Sequence, residues 1–290
     1  MYRVSLHGGH SGEFCEHARG TLRETLEAAV AFGFHTFGVT EHAPRIEERF
    51  VYDSERQKGY DVARLEQEFD AYATEVQRLS DEFADRIVVL RGFEAEVVPD
   101  TRYVELMQGY RERYAFEYMV GSVHYVQGTT IDGDKDVFAT LAAKLGGFES
   151  LTIAYYEAVT QMVCALTPEV VGHLDLVRKN TPHGVALDTP GIRAAAGDAL
   201  AAIRDANAIL DVNTAAYRKG LATPYPEPWL LRAAHDLGIP CCFGSDSHGP
   251  DEVGAGIEEA RSYLLANGVP EITGLTRGDD GAICRRAYAL

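Results

Sequence analysis

The chain has no Cys-x-x-Cys pair, although it contains five cysteines: Cys15, Cys164, Cys241, Cys242 and Cys284. An odd count without paired spacing argues against a disulfide framework, and reduced thiols are the expectation. Basic residues are scarce: 27 Lys and Arg stand against 44 Asp and Glu, a formal charge of −17. Such a surface lacks the basic stripes that nucleic acid or an anionic membrane requires. A phosphorylated substrate is not excluded, because metals and a few basic side chains can reverse the field locally. No apolar run approaches membrane-spanning length, and the opening Met1-Tyr2-Arg3-Val4-Ser5 carries no signal-peptide apolar region. A cytoplasmic protein without a membrane partner is therefore expected. Low-complexity tracts, short repeats and Pro/Gly/Ser linkers are missing too, as is a Gly-x-Gly-x-x-Gly run behind the first strand. Nothing in the composition selects an oligomeric state.

What is present is an ordinary globular composition, 46% hydrophobic and 24% charged over 290 residues. Short apolar runs at 2–6, 36–40, 87–90, 118–123, 170–175, 208–213 and 239–243 read as strands. Helical periods fall between them, over 21–32, 62–83, 103–114, 137–166, 192–207, 228–237 and 252–267. In the second of these, Leu65, Phe69, Tyr72, Val76 and Leu79 share one face. Seven β-then-α units in a row predict a parallel sheet with helices outside it. Their number and length favour a closed or nearly closed barrel, built as one domain over 1–290, over an open doubly wound sheet.

The chemistry-bearing residues fall at the ends of those strands. His7 and His10 follow the first, with His17 further along the same glycine-rich stretch; His42 closes the second, Glu94 the third, His124 the fourth and His173 the fifth. Asp246 and His248 follow the seventh. Taken singly, His42 or His173 reads as an ordinary core or surface histidine, and Glu94 or Asp246 as a helix cap or arginine partner. Jointly, seven of ten histidines sit at or just after strand ends, leaving His35, His183 and His235 as background. In a parallel barrel those ends converge on one mouth. An imidazole-rich set with carboxylates and no thiolate quartet suits Zn, Fe or Mn. Nine donors exceed the needs of one ion, so two or three divalent ions are expected. Cys15 reads as a buried or semi-exposed thiol that could also touch metal.

In their order, His7…His10…His17, Thr40-Glu41-His42, Gly92-Phe93-Glu94-Ala95-Glu96, Gly121-Ser122-Val123-His124-Tyr125, Gly172-His173-Leu174-Asp175-Leu176 and Gly244-Ser245-Asp246-Ser247-His248 resemble the polymerase and histidinol phosphatase (PHP) family. Asp211-Val212-Asn213-Thr214-Ala215 adds to a likeness with its histidinol-phosphatase branch. The resemblance implies an α/β fold, a distorted (β/α)7 TIM-like barrel with a multinuclear metal site at the C-terminal ends of its strands. It implies metal roles for His7, His10, His17, His42, Glu94, His124, His173, Asp246 and His248, with Glu94 bridging two ions. Glu94, Asp246 and His248 are expected to carry the chemistry as well. The implied reaction is hydrolysis of L-histidinol phosphate, a small phosphorylated substrate of histidine biosynthesis. A phosphoesterase acting on a nucleotide or phosphopeptide is the alternative, and a non-catalytic metal-binding barrel the more distant one.

One spacing departs from the family, which usually shows His-x-His where this chain has His7-Gly8-Gly9-His10. Positions three apart on a regular strand point to opposite faces. Convergence of both rings therefore requires a bulge at Gly8-Gly9; without one, a single ring of the pair reaches the metals. For the phosphate, loops behind the fifth and sixth strands offer Arg178 and Lys179, then Arg218 and Lys219. Arg178 and Arg218 are the expected contacts, because a guanidinium grips phosphate bidentately. The two lysines read equally as solvated charges. The polar stretch 43–60 carries Glu47, Glu48, Asp53 and Glu55, acids that could meet the cationic groups of histidinol.

Overall fold

The computed structural model describes residues 2–278 and 281–290. The first strand forms in two pieces, β1 (Val4–Ser5) and β2 (His7–Gly9), and leads through a loop to α1 (Leu22–Phe32). There follow β3 (Thr36–His42), α2 (Asp53–Gln57), α3 (Val62–Glu82), β4 (Val88–Ala95), α4 (Tyr103–Tyr114) and β5 (Tyr118–Gly121). A small hairpin, β6 (Tyr125–Val126) and β7 (Thr129–Thr130), precedes α5 (Lys135–Leu145) and α6 (Phe148–Leu166). Next come β8 (Val170–Val171), α7 (Pro190–Asp205), β9 (Ile209–Asn213), α8 (Ala215–Arg218), α9 (Pro228–Asp236), β10 (Cys241–Ser247) and α10 (Ile257–Ala266). The chain ends in an antiparallel hairpin, β11 (Glu271–Arg277) and β12 (Ile283–Ala289).

The central sheet has the order β1-β3-β4-β5-β8-β9-β10-β2, and every pairing in it is parallel. Its two outermost segments, β1 and β2, are halves of one strand interrupted at Leu6. One half pairs with β3 and the other with β10, so the sheet closes on itself through the first strand. Seven strand positions thus form the barrel that the seven β-then-α units predict.

The interruption is held by Tyr118, whose hydroxyl donates to the Leu6 carbonyl at 2.7 Å. Its ring crosses the barrel interior where Gly38 stands on β3, and a Cβ at that position would strike the phenol. Only a glycine permits this approach. Outside the sheet, helices lay their apolar faces on it: α3 buries Leu65, Phe69, Tyr72, Val76 and Leu79. Helix starts are capped locally. Thr21 and Glu24 form a reciprocal capping box on α1, and the Asp61 carboxylate accepts from Arg64 N on α3.

Three expectations need correction. The helical period over 137–166 is two helices, because Gly146 and Gly147 take φ of 100° and 125° and the axis bends by 95° there. The last strand of the barrel begins at Cys241, later than Ile239, and runs on to Ser247. Finally, the elements read from sequence stop at the helix over 252–267, whereas the β11–β12 hairpin follows, and Arg277 ties it beneath the barrel by pairing with Glu117 at 2.6 Å and donating to Val89 O at 2.8 Å. Among the described residues no single helix is long and apolar enough to cross a membrane.

Candidate metal centre

The C-terminal ends of the strands gather six side chains around the Glu94 carboxylate, which β4 delivers into the buried mouth. Three imidazoles face its Oε1: His173 Nε2 at 3.1 Å, His7 Nε2 at 3.5 Å and His124 Nε2 at 3.5 Å. Two face its Oε2: His42 Nδ1 at 3.0 Å and His10 Nε2 at 3.6 Å. Asp246 Oδ1 completes the group, 3.4 Å from His10 Nε2 and 3.8 Å from His7 Nε2. The carboxylate divides the donors into two sets, an arrangement suited to bridging.

Both His7 and His10 reach this centre, and the irregularity expected at Gly8-Gly9 is shared with the neighbouring strand. His7 pairs with Gly244 and Gly9 with Ser247, so one residue of β2, Gly8, lies opposite two of β10, Ser245 and Asp246. The extra residue of the bulge is therefore in the neighbouring strand, where Asp246 adopts a φ of 46°. A non-glycine residue in that region is strained, and such strain concentrates at functional sites. On β2, Gly9 contributes a φ of 118°, with its missing Cβ directed at the backbone of Ser247. The turn is sealed by His10 N donating to Ser247 O at 2.7 Å.

Three further carboxylates orient the rings, and sequence reasoning assigned a role to none of them. Asp211 accepts from His7 Nδ1 at 2.9 Å, Glu96 from His124 Nδ1 at 2.9 Å, and Glu41 lies 3.3 Å from His10 Nδ1. Glu41 is itself fixed by Ser11 N at 2.6 Å. Each pair turns Nε2 toward the centre and selects the tautomer with a free lone pair there, as carboxylates behind metal-binding histidines do. A signal was available: Glu41 and Glu96 lie within two residues of His42 and Glu94, and Asp211 is a carboxylate inside an apolar strand.

His17 and His248 stand at the outer side. Ring nitrogens of His17, His42 and His248 lie within 4.8 Å of one another, and ring nitrogens of His10 and His248 with a carboxylate oxygen of Asp246 form a second such group. His248 Nδ1 donates to Asp246 O at 3.0 Å. Cys15 is buried, with Sγ 3.4 Å from His17 Nδ1. His35 accepts from Arg3 N, while His183 and His235 are exposed; none of the three belongs to the cluster.

The electrostatics of the cluster are those of a competition for protons. Burial would lower His10, but the neighbouring carboxylates of Asp246 and Glu41 raise it to about 9. Burial likewise opposes charge on His124, and the carboxylates of Glu94 and Glu96 raise it to about 9. His248 is pushed down to about 3 by burial and by the charge on His10. Against their burial, Glu94 and Asp246 stay well below the usual carboxylate range, held first by the charge on His7.

Do these residues fit metal ions? His7 Nε2 and His10 Nε2 are buried with no hydrogen-bond partner among the described residues. An orphaned buried nitrogen costs about 1–3 kcal/mol, a penalty that a bound cation removes. Imidazoles and carboxylates together make a donor set suited to Zn, Fe or Mn. They fit.

Above the cluster opens a cavity of about 290 Å³. Lys179, Arg218 and Lys219 line it, together with Tyr52, Asp132 and Glu252. Arg178 does not. Its guanidinium is drawn to the buried Asp175 carboxylate at 3.0 Å and also donates to Pro224 O and Thr223 Oγ1. The two lysines, read as equally consistent with solvated surface, both face the cavity. The acids of the 43–60 stretch do not reach it. Glu47 pairs with Arg49, Asp53 with Arg56, and Glu55 with buried Arg45, while Glu48 accepts from Val62 N.

The chain is similar to known proteins in sequence and in fold. Residues 6–215 match the family described as PHP domain, and residues 231–272 the one described as PHP-associated. A protein of Schizosaccharomyces pombe named probable histidinol-phosphatase is 32% identical, over 96% of this chain and 91% of its own length. One of the same name from Deinococcus radiodurans is 35% identical over 89% of this chain and 88% of its own. Among solved structures, histidinol phosphate phosphatase from Lactococcus lactis, complexed with zinc, L-histidinol and phosphate, superimposes with a TM-score of 0.73. It is 21% identical, covers 97% of this chain and 98% of its own, and shares the fold.

Proposed function

This chain belongs to the PHP family, and from that premise we propose that it is a histidinol-phosphatase, hydrolysing L-histidinol phosphate to L-histidinol and inorganic phosphate in histidine biosynthesis. The observation that carries the reading is the placement of five imidazoles around the two oxygens of Glu94, directly below three cationic side chains. The relatives' shared name and the ligands of the Lactococcus enzyme support the choice of substrate.

In this proposal His7, His10, His17, His42, Glu94, His124, His173, Asp246 and His248 hold two or three divalent ions, with zinc the first candidate. Bound there, the ions would act as Lewis acids toward the phosphoryl oxygens and make a water acidic enough to attack at neutral pH. The chain's own residues do the rest. Lys219 and Lys179 supply point charges for the phosphoryl oxygens, and Arg218 adds a planar donor beside them. Arg218 is aimed by its own bonds: one terminal nitrogen donates to Ser245 O at 2.9 Å and Asp246 O at 2.7 Å, while Nε faces Glu252 at 3.1 Å. Asp211, Glu41 and Glu96 keep the imidazoles oriented, so little reorganisation is needed as charge develops on the transferring group. The P–O ester bond breaks, the water oxygen goes to phosphorus, and the leaving alkoxide takes up a proton.

We further propose that residues 1–290 act as one barrel domain in the cytoplasm, the terminal hairpin serving as its floor. The enzymatic reading is tested by phosphate release from a panel of phosphomonoesters. L-Histidinol phosphate should give the highest kcat/KM, and chelation should abolish turnover until Zn, Mn or Fe is restored. Equal turnover of nucleotides or phosphopeptides, or activity that survives complete metal removal, would overturn it.

A further inference from the structure

Two carboxylates line the cavity without being directed at the histidine cluster, Asp132 and Glu252. Glu252 is saturated: Oε2 accepts from His248 N at 2.9 Å and faces Arg218 Nε at 3.1 Å, and Oε1 accepts from Arg19 at 3.0 Å. Asp132 is different. Its Oδ1 accepts from Thr130 Oγ1 at 3.2 Å, while Oδ2 lies 3.7 Å from Lys179 Nζ, beyond hydrogen-bond reach. The Lys179 ammonium donates to the Asp132 main-chain carbonyl.

The backbone around this carboxylate is clamped. Asn180 Nδ2 donates to Ile131 O at 2.9 Å and to Gly133 O at 3.1 Å, the carbonyls on either side of Asp132. With Lys179 on the intervening carbonyl, two consecutive residues hold three consecutive carbonyls. This is the support expected of a side chain that must present an oxygen to a ligand at a set position.

Resting on the histidinol phosphate reading, we propose that Asp132 is a specificity-determining residue that receives the protonated amine of the substrate. The ammonium of that substrate sits on the carbon next to the ester carbon, so whatever binds it must stand close to the phosphate's cations. Asp132 does, beside Lys179. The same placement disfavours competitors: a carboxylate next to the phosphate site repels a phosphate ester that brings no cation of its own. The acids of the 43–60 stretch cannot serve, since each is engaged elsewhere.

The experiment compares kcat/KM for L-histidinol phosphate with that for 3-(imidazol-4-yl)propyl phosphate, which lacks the amine, in wild type and in Asp132→Asn. The asparagine keeps the shape, and the bonds from Lys179 and Asn180 go to main-chain atoms, so the loop is retained. Wild type should prefer the amine ester, and the variant should lose about 10-fold or more of that preference. Inorganic phosphate should inhibit the variant at lower concentration than it inhibits wild type. A residue that merely positions Lys179 would, when changed, depress both esters alike; an unchanged ratio overturns the proposal. Lys179→Ala provides the pattern for that outcome. If wild type hydrolyses both esters equally, the phosphatase reading stands and the role of Asp132 falls. If it hydrolyses neither, the substrate reading itself fails, and the proposal with it.

Discussion

His7 Nδ1 lies 2.9 Å from Asp211 Oδ2, with both side chains fully buried. Asp211 also accepts from Asn213 Nδ2 at 2.9 Å, so its position does not depend on the histidine alone. Asp211→Asn should leave the fold intact and weaken metal retention about 10- to 100-fold, the usual consequence of removing a carboxylate behind a ligating imidazole. Competition with a chromophoric chelator measures this. Affinity equal to wild type would mean that Asp211 is only a packing residue.

Glu94→Gln tests the proposed bridging role. Replacing one charged oxygen by an amide nitrogen should lower kcat by on the order of 10²–10³-fold or more. Metal content per chain, read by elemental analysis, should fall in parallel. Near-wild-type turnover with full metal content would remove Glu94 from the centre.

Protonation predicts how the site responds to pH. His10 and His124 are raised to about 9 in the protein's own field, above the ordinary histidine value near 6.5. Their contribution to the stability of chelated protein is therefore complete below about pH 6.5 and is lost as pH rises through about 9. The melting temperature of chelated protein should accordingly decline from pH 7 to 9.5. Ligation requires neutral imidazoles, so zinc addition at pH 7.5 should release protons, and apparent affinity should rise toward pH 9. Calorimetry in two buffers of different ionisation enthalpy reads the proton count; zero release would contradict the assignment.

Arg45 and Glu55 form a buried ion pair beneath the 43–60 stretch, and Arg45 also lies over the Tyr52 ring at 4.4 Å. Arg45→Ala leaves an uncompensated carboxylate and should cost about 3–5 kcal/mol in denaturant unfolding. A loss below about 1 kcal/mol would show that the pair is dispensable.

The basic residues separate into two classes. Lys219→Ala should raise KM for a phosphomonoester with little change in melting temperature, because the ammonium faces the cavity and its nearest carboxylate, Asp246, is 3.9 Å away. Arg178→Ala should do the reverse, lowering the melting temperature by stranding Asp175. The opposite pattern in the two variants would return Arg178 to the phosphate site.

The barrel, and the strand-end side chains that gather at its mouth, were legible in the sequence. Alternating apolar runs and helical periods are local properties, and strand ends in a parallel barrel share one mouth whatever the details of packing. That is why His7, His42, Glu94, His124, His173 and Asp246, spread over some 240 positions, could be nominated together. Tertiary structure decided half of how His7 and His10 both arrive, the other half being the turn that Gly9 makes at a φ of 118°. The extra residue lies in β10, a strand more than 230 positions away, and no spacing within Gly8-Gly9 encodes it. It also decided which charges are free. Arg178 and Glu55 look available in sequence, but each is claimed by a buried counter-charge, whereas Lys219 and Asp132 remain open to the cavity. The partners of Arg178 and Glu55 are near in sequence, Asp175 three residues before Arg178 and Arg45 ten before Glu55, but it is burial by the fold that commits each pair.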